Sequence, residues 1–123
     1  MRMRTRGVVA AAAITALGLL AGTGTAEAST VTHTYSRGKV SFKSNGDTIT
    51  VKDTRSDGYS IWVWVDNQTN GDYYRLQCAT SGRKAPVTVK CVRNYPEGHK
   101  LRFVVYAEGK HDEIKQGEFT ARA

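Results

Sequence analysis

The chain has only two cysteines, and no apolar run after residue 28 is long enough to cross a membrane as a helix. No histidine stands at ligand spacing from either cysteine, so we expect no tetrahedral zinc site and no other metal or cofactor. A Gly-x-Ser-x-Gly motif is absent, which leaves no hydrolase-type nucleophile elbow. Long helical periodicity is also missing. These absences point away from chemistry and towards β structure and binding surfaces.

The first 28 residues follow the pattern of a secretory signal peptide. Three arginines within the first six residues precede an apolar run at positions 8–21, and Ala-Glu-Ala follows at 26–28. The apolar run is shorter than the roughly 20 residues that a membrane-spanning helix needs. The sequence therefore predicts export, cleavage before Ser29 and a secreted, extracellular protein.

Residues 29–123 are enough for one domain. They carry 15 basic and 10 acidic residues, a net charge of +5 with neutral histidines. That sign favours anionic partners such as wall polymers or acidic proteins. The basic residues are spread along the chain, however, and their longest run is Arg83-Lys84. Nucleic acid is therefore a disfavoured partner, and a soluble basic surface is the simpler interpretation.

Cys78 and Cys91 are predicted to form one disulfide, because an even pair in an oxidising compartment is typically bridged. Closing a loop of about 14 residues contributes roughly 3 kcal/mol in the chain-entropy model. For a small domain this is a large share of the total stability.

Short segments rich in Val, Ile, Thr and aromatic residues alternate with turn residues, which is typical of an all-β domain. We expect a small antiparallel β-sandwich, immunoglobulin-like or related, with seven to eight strands. A turn at Ser44-Asn45-Gly46 separates the second and third strands. The predicted strands are 31–35, 40–42, 49–51, 59–65, 72–79, 87–94, 101–107 and a last one near Phe119.

Period-two spacing predicts which residues share a face. Tyr74, Leu76 and Cys78 are expected on one side of their strand. In the strand 101–107, the residues expected to face inward are Leu101, Phe103, Val105 and Ala107, with Tyr106 on the outer side. A hairpin between 72–79 and 87–94 that aligns Cys78 with Cys91 would place Leu76 and Val89 together. The sequence thus predicts that the disulfide joins two neighbouring strands of one sheet.

The segment 59–65 places Ile61, Val63 and Val65 on one face, so Trp62 and Trp64 must stand on the other. Aromatic rings beside cations on a sheet surface suit sugar stacking, an anionic polymer or a protein partner. The alternative is a central strand covered on both sides, with one tryptophan in the core and the other beneath a loop. The remaining candidate binding residues are Tyr73, Arg75, Lys90, Arg102 and Tyr106.

Asp47, Asp53 and Asp57 form an acidic stretch that suggests a weak calcium site, but the spacing does not fit an EF-hand loop. The simpler interpretation is that these residues hydrogen-bond to the backbone in turns.

His33, His99 and His111 are expected in loops or near strand ends. Pairs of His99 with Glu97, or of His111 with Asp112 and Glu113, would suit the acid–base chemistry of a secreted ribonuclease. Solvated loop histidines are the favoured interpretation, and we expect no enzyme.

Residues 46–53, Gly-Asp-Thr-Ile-Thr-Val-Lys-Asp, are followed by Asp-Gly-Tyr-Ser at 57–60. This pattern resembles a group of small secreted all-β proteins of high-GC Gram-positive bacteria. The resemblance covers about residues 39–65 and the later cysteine pair. It implies export and an all-β fold but no activity. Members often have more cysteines than this chain, so no disulfide layout is carried over.

Three function classes follow. The first is a non-catalytic binding protein for an anionic or carbohydrate polymer, or for another protein. The second is an inhibitor of a secreted hydrolase, which would use the loop between Asn67 and Gly71 on a rigid scaffold. The third, and the least favoured, is a small secreted hydrolase.

Overall fold

A computed structural model describes residues 29–123, and the predicted signal peptide lies outside the described residues. The described part contains eight strands and no helix. Among these residues there is consequently no helix that could span a bilayer. The strands are β1 (Thr30–Tyr35), β2 (Gly38–Lys43), β3 (Thr48–Asp53), β4 (Ser60–Asn67), β5 (Tyr73–Ala79), β6 (Val87–Val92), β7 (Lys100–Glu108) and β8 (Glu113–Arg122).

The strands form two four-stranded antiparallel sheets. The first sheet has the order β1-β2-β3-β6, and the second has the order β5-β4-β7-β8. The prediction of an all-β sandwich with seven to eight strands is therefore confirmed. The partial order β2-β3-β6 facing β4-β7-β8 matches strands A-B-E and C-F-G of an immunoglobulin-type sandwich.

The core lies between the sheets and follows the predicted alternation. Ile61, Val63 and Val65 are buried, as are the alternate residues of β7 from Leu101 to Ala107. Phe103 joins the two layers, because its ring centroid lies 4.8 Å from Phe42 of the first sheet and 4.8 Å from Phe119. Such close-packed aromatic contacts supply a large part of a small domain's burial energy.

The Cys78–Cys91 disulfide is present, but the predicted hairpin around it is wrong. β5 pairs with β4, and β6 pairs with β3, so the bridge connects the two sheets instead of two neighbouring strands. Both cysteines point into the sandwich, and their Cα atoms are 5.7 Å apart. Period-two spacing predicts that two residues face the same way, but it does not identify the sheet to which each belongs.

The prediction that Leu76 shares a face with Cys78 is also wrong. In the pairing of β4 with β5, Val63 lies opposite Cys78 and Val65 opposite Tyr74. Three residues of β5, from 75 to 77, therefore face the single residue Trp64 in a bulge. The bulge turns Leu76 outwards, where 38% of its surface is exposed.

Candidate functional site

The outer face of the second sheet gathers most of the predicted binding residues. We call this surface the aromatic face, and it comprises Trp62 and Trp64 of β4, Tyr73 and Arg75 of β5, and Arg102 and Tyr106 of β7. Trp62 lies directly opposite Tyr106 in the ladder between β4 and β7. Cross-strand neighbours on one face have side chains in contact range, so the pairing of β5, β4 and β7 brings these rings together.

Trp64 is the centre of the aromatic contacts. Its ring centroid lies 5.9 Å from Tyr73 and 6.4 Å from Tyr106, the latter in an edge arrangement. The Arg75 guanidinium carbon lies 5.5 Å from the Trp64 ring centroid, within the range of a cation–π interaction. These contacts hold the rings in place relative to one another, and a prearranged surface of this kind has a low ordering cost for binding.

Neither tryptophan belongs to the core. Both are half-buried, and Tyr73 at the sheet edge is 58% exposed. The indole Nε1 atoms of Trp62 and Trp64 are shielded from solvent and have no hydrogen-bond partner among residues 29–123. The alternative of one core tryptophan and one beneath a loop is not what the structure has. Instead the rings cover the sheet and leave part of their apolar surface open.

The charges on the aromatic face largely neutralise one another. Arg102 donates a 3.0 Å hydrogen bond to Asp66 and lies 3.8 Å from a Glu118 carboxylate oxygen. Lys115 binds the same Glu118 at 3.0 Å. The hydrogen bond from Lys115, aided by the charges of Lys115 and Arg102, lowers the pKa of Glu118 below its usual value. A ligand here meets aromatic rings beside a balanced ion-pair network.

Lys90 does not belong to this surface. It lies in β6, opposite Thr50 of β3, and is exposed on the outer face of the first sheet. The prediction grouped Lys90 with the aromatic residues because it assumed that β5 and β6 are neighbours. Their separation into two sheets removes Lys90 from the candidate site.

The three aspartates act as structural residues. Asp57 accepts a hydrogen bond from the Tyr59 amide and forms an ion pair with Arg37. Asp53 accepts the Arg55 amide at 3.1 Å, and burial raises its pKa. Both therefore hydrogen-bond to the backbone, as expected for turn residues.

Asp47, the third aspartate, is only 4% exposed and accepts the Tyr95 amide at 2.7 Å. Within residues 29–123 there is no group of three potential ligands for a metal ion.

The histidines do not form an acid–base pair with a carboxylate. The Nδ1 atom of His99 lies 3.0 Å from the Asn67 side-chain amide, and His33 stacks on Phe119 at 4.6 Å. His111 is exposed, and no ion pair in the part of the chain described by the structure involves a histidine. The geometry gives no support to the hydrolase hypothesis.

The loop considered for an inhibitor is well ordered by hydrogen bonds. The Asn67 side chain accepts the amides of Thr69 and Asn70, and Thr69 accepts the Lys100 amide. Its exposed residues, Gln68 to Gly71, are neither apolar nor cationic. A rigid loop with such a tip lacks the aromatic or arginine anchors that dominate binding energies.

The chain matches no protein-family model, no curated protein and no solved structure. The resemblance of residues 46–60 to small secreted proteins therefore stays a prediction. What the residues of the aromatic face do must be inferred from their own geometry.

Sequence reasoning missed the ion pairs that flank the tryptophans. Asp66 and Glu118 are 52 positions apart in the chain. Both contact Arg102, because β7 lies between β4 and β8 in the sheet. Asp66 was detectable, since it follows Trp64 with period-two spacing on the same face. The position of Lys115 on the same face as Glu118 depends on a bulge in β8 between Gly117 and Lys115, which no local pattern indicates.

Proposed function

We propose that the protein is an exported, non-catalytic binding protein whose aromatic face recognises a neutral carbohydrate polymer. The observation that carries this proposal is the group of prearranged rings on an uncovered sheet surface. A contiguous set of partly exposed aromatic side chains is a liability for a monomer unless a ligand uses it. The rigid two-layer scaffold below the face keeps the rings in register.

The charge balance of the face favours a neutral ligand over an anionic one. Arg102 and Lys115 are both engaged by carboxylates, so two of the three cations beside the aromatic rings are already neutralised, and the third, Arg75, lies over the Trp64 ring. Sugar rings offer apolar C–H faces for stacking and hydroxyl groups for the surrounding polar side chains. Asp66, Arg102 and Glu118 surround the rings with donors and acceptors of this kind.

The chain offers an intrinsic probe of this site. It has two tryptophans, and both lie on the aromatic face. A ligand that stacks there should therefore change the intrinsic tryptophan emission without any label. We expect neutral insoluble polysaccharides to capture the protein equally well at low and high salt, because stacking is not screened by ions.

Tyr73→Ser is the most informative variant, because Tyr73 is exposed and both fluorophores remain. We expect the affinity for soluble oligosaccharide fragments to fall about two- to tenfold, the range of an aromatic contact. Trp62→Ala should weaken binding by roughly 30-fold or more if the residue is a hot spot. Urea unfolding of each variant checks that the domain is intact.

Val92→Ser is the matched control, since Val92 is 70% exposed but lies in the first sheet. It should leave capture and emission unchanged. Capture that survives both Tyr73→Ser and Trp62→Ala in folded protein would contradict the proposal. So would capture that disappears at high salt.

Export is the second part of the proposal and is tested separately. The signal pattern predicts that the protein accumulates outside the producing cells with Ser29 as its first residue. The mass and N-terminal sequence of the secreted form check this. An intracellular protein that keeps residues 1–28 would refute it.

A further inference from the structure

The outer face of the first sheet has a composition unlike any other surface of the described domain. Its twelve outward residues comprise six threonines, one serine, four lysines and one valine. We call it the lysine face. Its residues are Thr30, Thr32 and Thr34 of β1, Lys39, Ser41 and Lys43 of β2, Thr48, Thr50 and Lys52 of β3, and Thr88, Lys90 and Val92 of β6.

The four lysines of this face have no counterions. All four are exposed, and none takes part in an ion pair or a side-chain hydrogen bond among residues 29–123. No acidic residue stands on the face. The contrast with the aromatic face is direct, because there Arg102 and Lys115 are both paired with carboxylates.

The arrangement of the lysines is unfavourable for the isolated domain. Lys39 lies directly opposite Lys52 in the ladder between β2 and β3. Lys90 is opposite Thr50, so it is a diagonal neighbour of Lys52. Like charges directly opposite each other destabilise a sheet, and diagonal neighbours remain within reach of long side chains. A bound anion would turn this repulsion into attraction.

The chemistry of the face selects among anions. All of its cations are lysines, whereas planar carboxylates are recognised best by the fork of an arginine. Lysine ammonium groups with threonine and serine hydroxyls are typical partners of phosphate oxygens. The face has no aromatic ring on which a base could stack, and it is formed by sheet residues without a helix that could enter a groove. These features favour phosphate groups in a chain without bases.

The spacing of the charges favours a polymer over a single ion. Lys39 and Lys43 are four residues apart on β2, which is about 13 Å along the strand. Lys52 and Lys90 extend the charged area across two more strands. One phosphate cannot contact all four lysines, but an extended chain that crosses the strands can.

We propose that the lysine face is a second binding site, for a phosphodiester polymer without bases, such as a polyol-phosphate chain. The site is separate from the aromatic face, because the two surfaces are the outer faces of opposite sheets. Either proposal can therefore fail without the other. A ligand on the lysine face should leave the tryptophan emission unchanged.

The test uses the full secreted form of the protein and, as the probe, poly(glycerol phosphate) of defined length. Binding is measured at several salt concentrations. If all four lysines contact the polymer, the slope of log K against log salt concentration should be about −3, as expected for a flexible single-stranded polymer with four neutralised phosphates. Lys52→Glu should weaken binding about tenfold or more at low salt and make the slope shallower. The same variant should raise the urea midpoint, because it converts the Lys39–Lys52 repulsion into an attraction.

Lys110→Glu is the matched control, since Lys110 is exposed between β7 and β8 and the variant has the same net charge. The affinity of this variant for poly(glycerol phosphate) should stay within about twofold of the wild-type value, because salt screens the interaction of the polymer with a distant charge. Equal losses in Lys52→Glu and Lys110→Glu would overturn the proposal, because only net charge would then matter.

Four further probes, three soluble polyanions and one lipid vesicle, test the identity of the ligand. Dextran sulfate, polygalacturonate and single-stranded DNA should each bind more weakly than poly(glycerol phosphate) of equal charge. Tighter binding of any of them would overturn the assignment to a base-free phosphodiester chain. Tighter binding to phosphatidylglycerol vesicles would overturn it as well, in favour of a membrane surface. Tyr73→Ser should have no effect on poly(glycerol phosphate) binding, and a loss there would contradict the separation of the two sites.

Discussion

Asp47 provides a sharp test of how the domain is held together. It is the last residue of the β2–β3 turn, has a φ of 45° and is almost completely buried. Its Oδ2 atom accepts the Tyr95 amide at 2.7 Å, and its main-chain oxygen accepts the Arg93 amide at 2.9 Å. The residue therefore ties the connection between β6 and β7 to the end of the sandwich.

Three substitutions separate the side-chain contribution of Asp47 from that of the backbone. Asp47→Ala leaves the buried Tyr95 amide without its charged acceptor, which costs about 1.5–3 kcal/mol. It also places an alanine at positive φ, which adds about 1–2 kcal/mol. Asp47→Gly removes the acceptor but relieves the backbone, so its cost should be smaller. Asp47→Asn keeps an acceptor oxygen and tolerates positive φ, so we expect a loss below about 1 kcal/mol.

Urea unfolding followed by far-UV circular dichroism measures these differences. For a urea m-value of about 1–2 kcal/mol/M, the alanine variant should lower the midpoint by roughly 1–5 M. The order of stability should be wild type, Asn, Gly and then Ala. An alanine variant as stable as the asparagine variant would refute the reasoning, because neither the hydrogen bond nor the backbone conformation would then matter.

Two other predictions concern the bridge and the ion pairs. Replacing Cys78 and Cys91 by alanine should lower the free energy of unfolding by about 3 kcal/mol, because the unfolded chain regains the entropy of a 14-residue loop. A loss below about 1 kcal/mol, measured by urea unfolding, would contradict this. The lowered pKa of Glu118 means that its pairing stabilises the fold above its unfolded pKa. That stability is lost as the pH falls through the folded value. NMR titration should show Glu118 titrating below its usual range, and an ordinary or raised value would refute the pairing with Lys115.

The sequence predicted the local features of the fold well, because each depends on a few neighbouring residues. Alternation in β4 and β7 placed Ile61 and Phe103 inside and Trp62 and Tyr106 outside, and the structure agrees. The disulfide was predicted from the even number of cysteines and the predicted export of the chain, and the structure contains it. The β2–β3 turn was predicted from Asn45-Gly46.

The order of the strands in the two sheets could not be predicted from the sequence. β6 pairs with β3 across more than 30 intervening residues. This pairing determines the face on which Lys90 lies and the strand that is next to Cys91. Such pairings are fixed by the packing of both layers, and period-two spacing carries no information about them.

The sequence alone therefore determined the strand-forming segments, the side of each strand that is apolar, and the covalent bridge, since these follow from short-range spacing and residue type. Only the tertiary structure decided that β5 bulges to expose Leu76, that Asp47 is buried against Tyr95, and that scattered lysines assemble on one face. The physical reason is that a sheet brings together residues from distant segments. Their neighbours are chosen by the free energy of the whole sandwich rather than by any local preference.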